Sequence, residues 1–281
     1  MKNKILIVGG DPNSINSEII YKSWKKSSSA IRNKIYIITN YKLFKKQILK
    51  LKYPLKILKV ENHKDNQKSK KLKIVDIPIE FNNPFKVKKK ILINFISKSL
   101  NYAHSAALGN DVKGIINCAI DKSLLKKDNT GVTEYLASKC NVKNQSEVMM
   151  ISNLKFSVVP ITTHINVRQI SRKISKKIII NKIKTIDKFF KNTFKTKPRI
   201  GVLGLNPHNA EMKKKSEEIK IILPSIRQLK KIKINCSGPH VSDTIFIKDY
   251  KNFDVIVGMY HDQVLIPFKT LFKINAINIT L

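Results

Sequence analysis

FSVVPITTH at residues 156–164 and FDVIVGMYHDQ at residues 253–263 each carry an unbroken apolar run into a histidine and a polar turn, and RIGVLGLNPH at residues 199–208 has the same form. Short continuous apolar runs ending in turns suit strands buried on both faces. Lysine-rich helical stretches separate these runs, which predicts an α/β chain with a parallel sheet covered by helices. Groups just past the carboxyl ends of parallel strands converge on one crevice. His164, His208 and His261 are thereby candidates to share one divalent metal ion.

Taken singly, each histidine reads more readily as a hydrogen-bonded structural residue than as a ligand. What distinguishes the three is polar neighbours suited to orient an imidazole: Thr162 and Thr163, Asn206, and Asp262 with Gln263. Neutral imidazoles with open coordination positions suit zinc or another divalent ion acting as a Lewis acid. His63 in a charged loop, His104 on a helical stretch and His240 in a Gly-Pro turn are read as structural or solvent-exposed. Lys269 is suited to hold a substrate phosphate or carboxylate or to assist proton transfer, though in so lysine-rich a chain it reads more readily as a surface lysine. Asp243 and Asp262 are candidates to orient ligands or relay a proton, with a helix N-cap as the competing role for Asp243.

Working outward, KILIVGG opens a first α/β series, followed by a helix around residues 18–26, the strand KIYIITN and the helix KLFKKQILKL. PLKILKV and KIVDIPI read as strands joined by a charged loop over residues 61–73, and residues 89–108 as a helix before the strand VKGIINCAI. In the second half, SEVMMISN reads as a helix end, residues 167–194 as one long amphipathic helix, SEEIKIILPSIRQLKK as another, and INAINITL as the last strand. The turn DNTG at 128–131 divides the chain into a first α/β lobe, residues 1–130, and a second, residues 131–281, which carries the candidate ligands.

The 281 residues carry 55 Lys and Arg against 19 Asp and Glu, a net charge of +36, which raises nucleic acid as a partner. Only five of those cations are arginine, at 32, 168, 172, 199 and 227, and the lysines are spread along the chain. Base reading and bidentate phosphate recognition favour arginine and a concentrated patch, so no specific nucleic acid partner is expected. No apolar run reaches the roughly 20 residues that a bilayer requires, so no membrane partner is expected. Cys118, Cys140 and Cys236 are widely spaced without a CxxC pair, which suits a reducing, cytoplasmic setting. KILIVGGDPNS lacks both the GxGxxG pattern and a GK[ST] ending, so neither usual nucleotide loop is present.

TTH at 162–164, GLNPH at 204–208, SDTIF at 242–246 and MYHDQ at 259–263, with Lys269 beyond it, resemble the 4-hydroxythreonine-4-phosphate dehydrogenase family of vitamin B6 synthesis. GGDP at 9–12, INCAIDK at 116–122 and GVTEYLA at 131–137 extend the likeness along the chain in the expected order. The resemblance implies a two-lobed α/β/α fold like that of the isocitrate and isopropylmalate dehydrogenases, with the active site in the interlobe cleft and completed by a second subunit. It implies oxidation of 4-phosphohydroxy-L-threonine with NAD or NADP and a divalent metal (Zn, Mg or Co), followed by decarboxylation of the β-keto acid. It assigns His164, His208 and His261 as metal ligands, the last reaching across a homodimer, and Thr133, Lys269 and Asn278 as substrate-binding residues.

The chain departs from the family pattern in several places. GDPNSINSE stands where the family reads GDPxGIGPE, NAEMKKKSEE replaces a Gly-rich segment after His208, and Val132 takes the place of a substrate-contacting histidine. Where this sequence ends at Leu281, the family continues through a substrate-binding arginine and a DHGT-type segment. These departures keep open a related four-carbon sugar-acid phosphate dehydrogenase and a catalytically degraded member, while the lysine-rich charge leaves a nucleic-acid binder as the remote alternative.

Overall fold

The computed structural model describes residues 3–66, 69–125, 131–140, 146–153 and 155–281. The chain divides into two compact units, Met1–Lys139 and Cys140–Leu281. The first holds β1 (Lys4–Val8), α1 (Asn16–Lys26), α2 (Ser29–Arg32), β2 (Ile35–Thr39), α3 (Tyr41–Lys50), β3 (Ile57–Val60), β4 (Leu72–Asp76), α4 (Lys89–Ala107), β5 (Val112–Asn117) and α5 (Val132–Lys139). Its five strands run parallel in the order β3-β4-β2-β1-β5. Every residue of β2 is buried. Ile35 and Ile37 pack with Ile20, Trp24 and Phe44 of α1 and α3, while Tyr36 and Ile38 pack with Phe95, Ile96 and Leu100 of α4. Burial on both faces is what makes such a strand read as continuous apolar sequence.

Two features of this unit bear on the sequence reading. The expected lobe boundary falls on residues 128–131, of which 128–130 lie outside the described residues. Helix α5 belongs to the first unit, because Val132 and Tyr135 pack on its core. His63 takes the structural one of its two expected roles: it is 7% exposed, its Nδ1 lies 2.9 Å from the Tyr102 hydroxyl, and its Nε2 lies 3.5 Å from Asp111 Oδ2.

The reshaped GGDP turn is stitched by Asn16. Its Nδ2 donates to the carbonyls of Gly9 (3.0 Å), Asp11 (3.3 Å) and Ala119 (2.8 Å), joining the β1 exit to the β5 exit. Side-chain bonds thus close a loop that glycines shape in the family pattern.

The second unit holds β6 (Met149–Ser152), β7 (Ser157–Thr162), α6 (Ile170–Lys173), α7 (Lys176–Thr193), β8 (Ile200–Leu203), α8 (Leu223–Lys231), β9 (Cys236–His240), α9 (Ser242–Ile245), β10 (Val255–Tyr260), α10 (His261–Phe272) and β11 (Ile277–Thr280). The sheet order is β11-β6-β7-β10-β8-β9, parallel through β7, β10, β8 and β9, with β6 antiparallel to both β7 and β11. Ile179, Ile183 and Ile186 of α7 cover one face with Leu229 of α8, and Val264, Leu265 and Phe268 of α10 cover the other.

Here three sequence expectations are corrected. SEVMMISN forms strand β6 rather than a helix end: Met150 enters one core and Met149 the other, the two-residue alternation of a strand. The single long helix is broken at Ser175, whose extended backbone and side chain, accepting from the Ile178 amide, start α7 afresh after α6. The Gly-Pro turn around His240 is the edge strand β9, where a proline removes no ladder bond that a neighbour needs. His240 is structural there: its Nε2 lies 2.8 Å from Ser237 Oγ, its ring meets Phe253 edge-on, and burial pushes its pKa down.

Between β8 and α8 the chain makes a left-handed turn. His208, Asn209, Ala210, Glu211 and Met212 have φ of 49°, 56°, 49°, 50° and 56°, with no glycine among them. Each non-glycine residue in this region costs roughly 1–2 kcal/mol against right-handed backbone. Ala210→Gly should therefore stabilise the protein by about 1 kcal/mol in denaturant unfolding, provided native φ is kept. No gain would mean that the turn is not left-handed in solution.

His63 gives a pH prediction. Burial lowers its pKa below the ordinary imidazole value, outweighing the attraction of Asp111. A depressed folded-state pKa means that the unfolded chain binds the proton first, so this contribution to stability is complete above about pH 6.5 and is lost as pH falls. Melting temperatures across that range should fall more steeply for the native chain than for His63→Phe.

Candidate functional site

The parallel pairing of β7 with β10 sets the site. Its last rung places Thr162 opposite Tyr260, and Thr162 Oγ1 donates to the Met259 carbonyl at 2.8 Å. One residue past Thr163 the chain reaches His164, while β10 passes directly into α10, whose first residue is His261. The two imidazole centroids stand 5.8 Å apart, with their planes inclined by 41°. They line a depression of about 200 Å³ together with Thr162, Thr163, Tyr260 and Asp262.

Asp262 orients one of the rings. Its Oδ1 lies 2.7 Å from His261 Nδ1. Against a carboxylate Nδ1 must carry the proton, which leaves the Nε2 lone pair available as a ligand or base. Two rings at this separation can bracket a single cation, since a metal–nitrogen bond of about 2.1 Å puts the ion about 3 Å from each ring centre. The pair therefore fits a divalent ion, and imidazole donors favour zinc or cobalt over magnesium, which prefers oxygen.

His208 does not join this pair within one chain. Among the described residues no three His, Cys, Asp or Glu side chains gather closely enough to hold a metal. The sequence reading set His261 apart as the residue that reaches across a dimer; within the chain His261 accompanies His164, and His208 is the one outside the group. The loop leading to His208 is nonetheless firmly held. Glu218, fully buried, accepts from the Leu205 and Asn206 amides, both at 2.8 Å, and from Asn206 Nδ2. Burial alone opposes ionisation of Glu218, but these donors outweigh it and hold the carboxyl below its ordinary range. Gly204 leaves room beneath the turn for the Asn209 side chain, which a Cβ at 204 would force to move.

Within the second unit, Lys269, Asp243 and Asn278 do not line this depression. Lys269 is exposed on α10, roughly 12 Å along the helix axis from His261. Asp243 is exposed in the first turn of α9, whose N-cap is Val241, so the N-cap role proposed for Asp243 does not hold. Asn278 is exposed on β11 opposite Ile151, and Thr133 is half-buried on α5 of the first unit. Glu218 is a supporting residue that the sequence did not single out. Its only signal was the adjacent acidic pair Glu217 and Glu218 where the next helix begins.

The family model described as pyridoxal phosphate biosynthetic protein PdxA matches residues 31–281. A 4-hydroxythreonine-4-phosphate dehydrogenase of Sulfurihydrogenibium is 34% identical over 99% of this chain and 86% of its own length. A D-threonate 4-phosphate dehydrogenase of Pectobacterium atrosepticum is 32% identical over 74% of this chain and 66% of its own. The crystal structure of a 4-hydroxythreonine-4-phosphate dehydrogenase from Klebsiella pneumoniae superposes with a TM-score of 0.86 at 26% identity, covering 99% of this chain and 87% of that one. Held together by motifs that run the length of the sequence and by an α/β architecture shared with solved members, this chain belongs to the PdxA family.

Proposed function

We propose that this enzyme oxidises the secondary alcohol of 4-phosphohydroxy-L-threonine with NAD or NADP, and that the β-keto acid product decarboxylates to 3-amino-2-oxopropyl phosphate in vitamin B6 synthesis. The observation that carries this reading is the His164–His261 pair at the strand ends, with Asp262 fixing the tautomer of His261. A divalent ion held by these imidazoles supplies Lewis acidity toward oxygen, which both the oxidation and the loss of carbon dioxide require. The chain's own residues do the rest: Asp262 and Asp243 are the candidate proton-handling groups, and Thr133, Lys269 and Asn278 the candidate contacts to the substrate's phosphate and polar groups. The dehydrogenase works in this reading as a cytoplasmic homodimer, with the third imidazole, His208, supplied by the second copy.

Assaying the zinc- or cobalt-loaded protein with this substrate and NAD or NADP, by absorbance of the reduced cofactor, tests the proposal. Turnover that chelation abolishes, and that His261→Ala reduces by at least about a hundred-fold, is the expected result. Asp262→Asn should weaken metal affinity by about ten- to a hundred-fold. Mixing inactive His208→Ala and His261→Ala proteins should restore about a quarter of native activity if the ligands come from two copies, since half of a random mixture is hybrid dimer with one intact site of two. No restoration would assign all three ligands to one chain.

A second reading rests on Val132. It packs on the first unit's core instead of offering a polar contact, which favours a catalytically degraded member; a related four-carbon sugar-acid phosphate such as D-threonate 4-phosphate is the alternative substrate. A higher kcat/KM on that compound would select it, and silence on both with metal retained would indicate a degraded member. Nucleic acid binding beyond nonspecific attraction is disfavoured by the dispersed lysines, and duplex affinity that survives physiological salt would reverse that conclusion.

A further inference from the structure

The side chain of Gln263 joins three segments that meet at the strand ends of the second unit. Its Oε1 accepts from the Met259 amide at 2.6 Å, and its Nε2 donates to the Gly204 carbonyl at 2.6 Å and to Ser242 Oγ at 2.7 Å. One amide thus ties the end of β10, the loop that leads from β8 to His208, and the start of α9. The backbone makes room for it at Gly258, where a Cβ would lie 2.9 Å from Gln263 Oε1 and 2.5 Å from Val264 Cγ1.

From this geometry we infer that Gln263 is a positioning residue, which holds the His208 loop in fixed register with the end of β10 and so tunes metal affinity through His208. The inference rests on the metal-dependent reading above. Gly204 is the point of leverage. Its amide donates to the His240 carbonyl at 3.0 Å, its carbonyl accepts from Gln263, and Glu218 holds the two amides that follow. Four residues beyond Gly204 the backbone enters its left-handed turn at His208. A loop fixed at its base delivers an imidazole within a narrow range, whereas a loose base spreads the ring over many placements and weakens ligation. The chemistry also demands an amide. A carboxylate at this position would accept from Met259 but could not donate to Gly204 or Ser242.

The test is a double-mutant cycle on Co2+ binding, read by the visible spectrum and by calorimetry, with the full-length protein. Gln263→Ala should lower Co2+ affinity about ten- to a hundred-fold in the native background. With His208→Ala already present, the same substitution should change affinity by less than about two-fold, because its route to the metal is gone. Ser242→Ala, which removes one of the two groups accepting from Nε2, should give a smaller loss with the same dependence on His208, and it stands in if Gln263→Ala does not fold. Equal losses in both backgrounds, or no loss in the native one, would overturn the inference while leaving the functional reading intact. A native protein that binds no Co2+ would overturn both.

Discussion

The parallel ladder between β7 and β10 is the constraint on which the rest of the second unit depends. Two chain segments almost a hundred residues apart finish side by side, closed by the bond from Thr162 to the Met259 carbonyl. Only because both strands end on the same rung do His164 and His261 face each other. The ladder is buried on both faces, by α7 and α8 on one side and α10 on the other, so it is among the last structures to open. Stability and site geometry are thereby the same property, and a one-residue slip in register would separate the two rings.

Around this rigid pair the supporting groups are polar and short-ranged. Asp262 fixes a tautomer, Gln263 ties loop to strand, and Glu218 satisfies amides that would otherwise be stranded at the β8 exit. Gln263 and Glu218 replace water at half-buried backbone groups, where an unmade bond is costly. The net charge of +36 enters little of this, since the candidate ligand pair is oriented by a carboxylate and a hydroxyl. Where lysines do enter the core they are matched: Lys73 reaches the Asn33 carbonyl at 2.7 Å and lies over the Tyr36 ring, and Lys4 pairs with Asp111.

Much of this was legible in the sequence, for a physical reason. Strands buried on both faces are apolar at nearly every position, so β1, β2, β7, β8 and β10 announced themselves, and the histidines after β7, β8 and β10 marked the candidate site. Strand β6 was missed because Met149 and Met150 suit helices as well as strands, and β9 because a Gly-Pro step normally marks a turn; only the edge position makes it tolerable. The break at Ser175 is one capping bond inside an otherwise helical pattern. Least legible was His208: the family's glycines would have signalled a left-handed turn, and here side chains replace them. The assignment of Lys269, Asn278 and Thr133 to substrate binding comes from family resemblance, and nothing in the spacing of those residues alone encodes it.

The most direct measurement of the central claim is the X-ray absorption spectrum of the cobalt- or zinc-loaded protein, which counts imidazoles around the ion. Two or three histidine ligands in the native chain, falling by one in His164→Ala, is the result that the β7–β10 geometry requires. A first shell of oxygen alone, unchanged by that substitution, would contradict it.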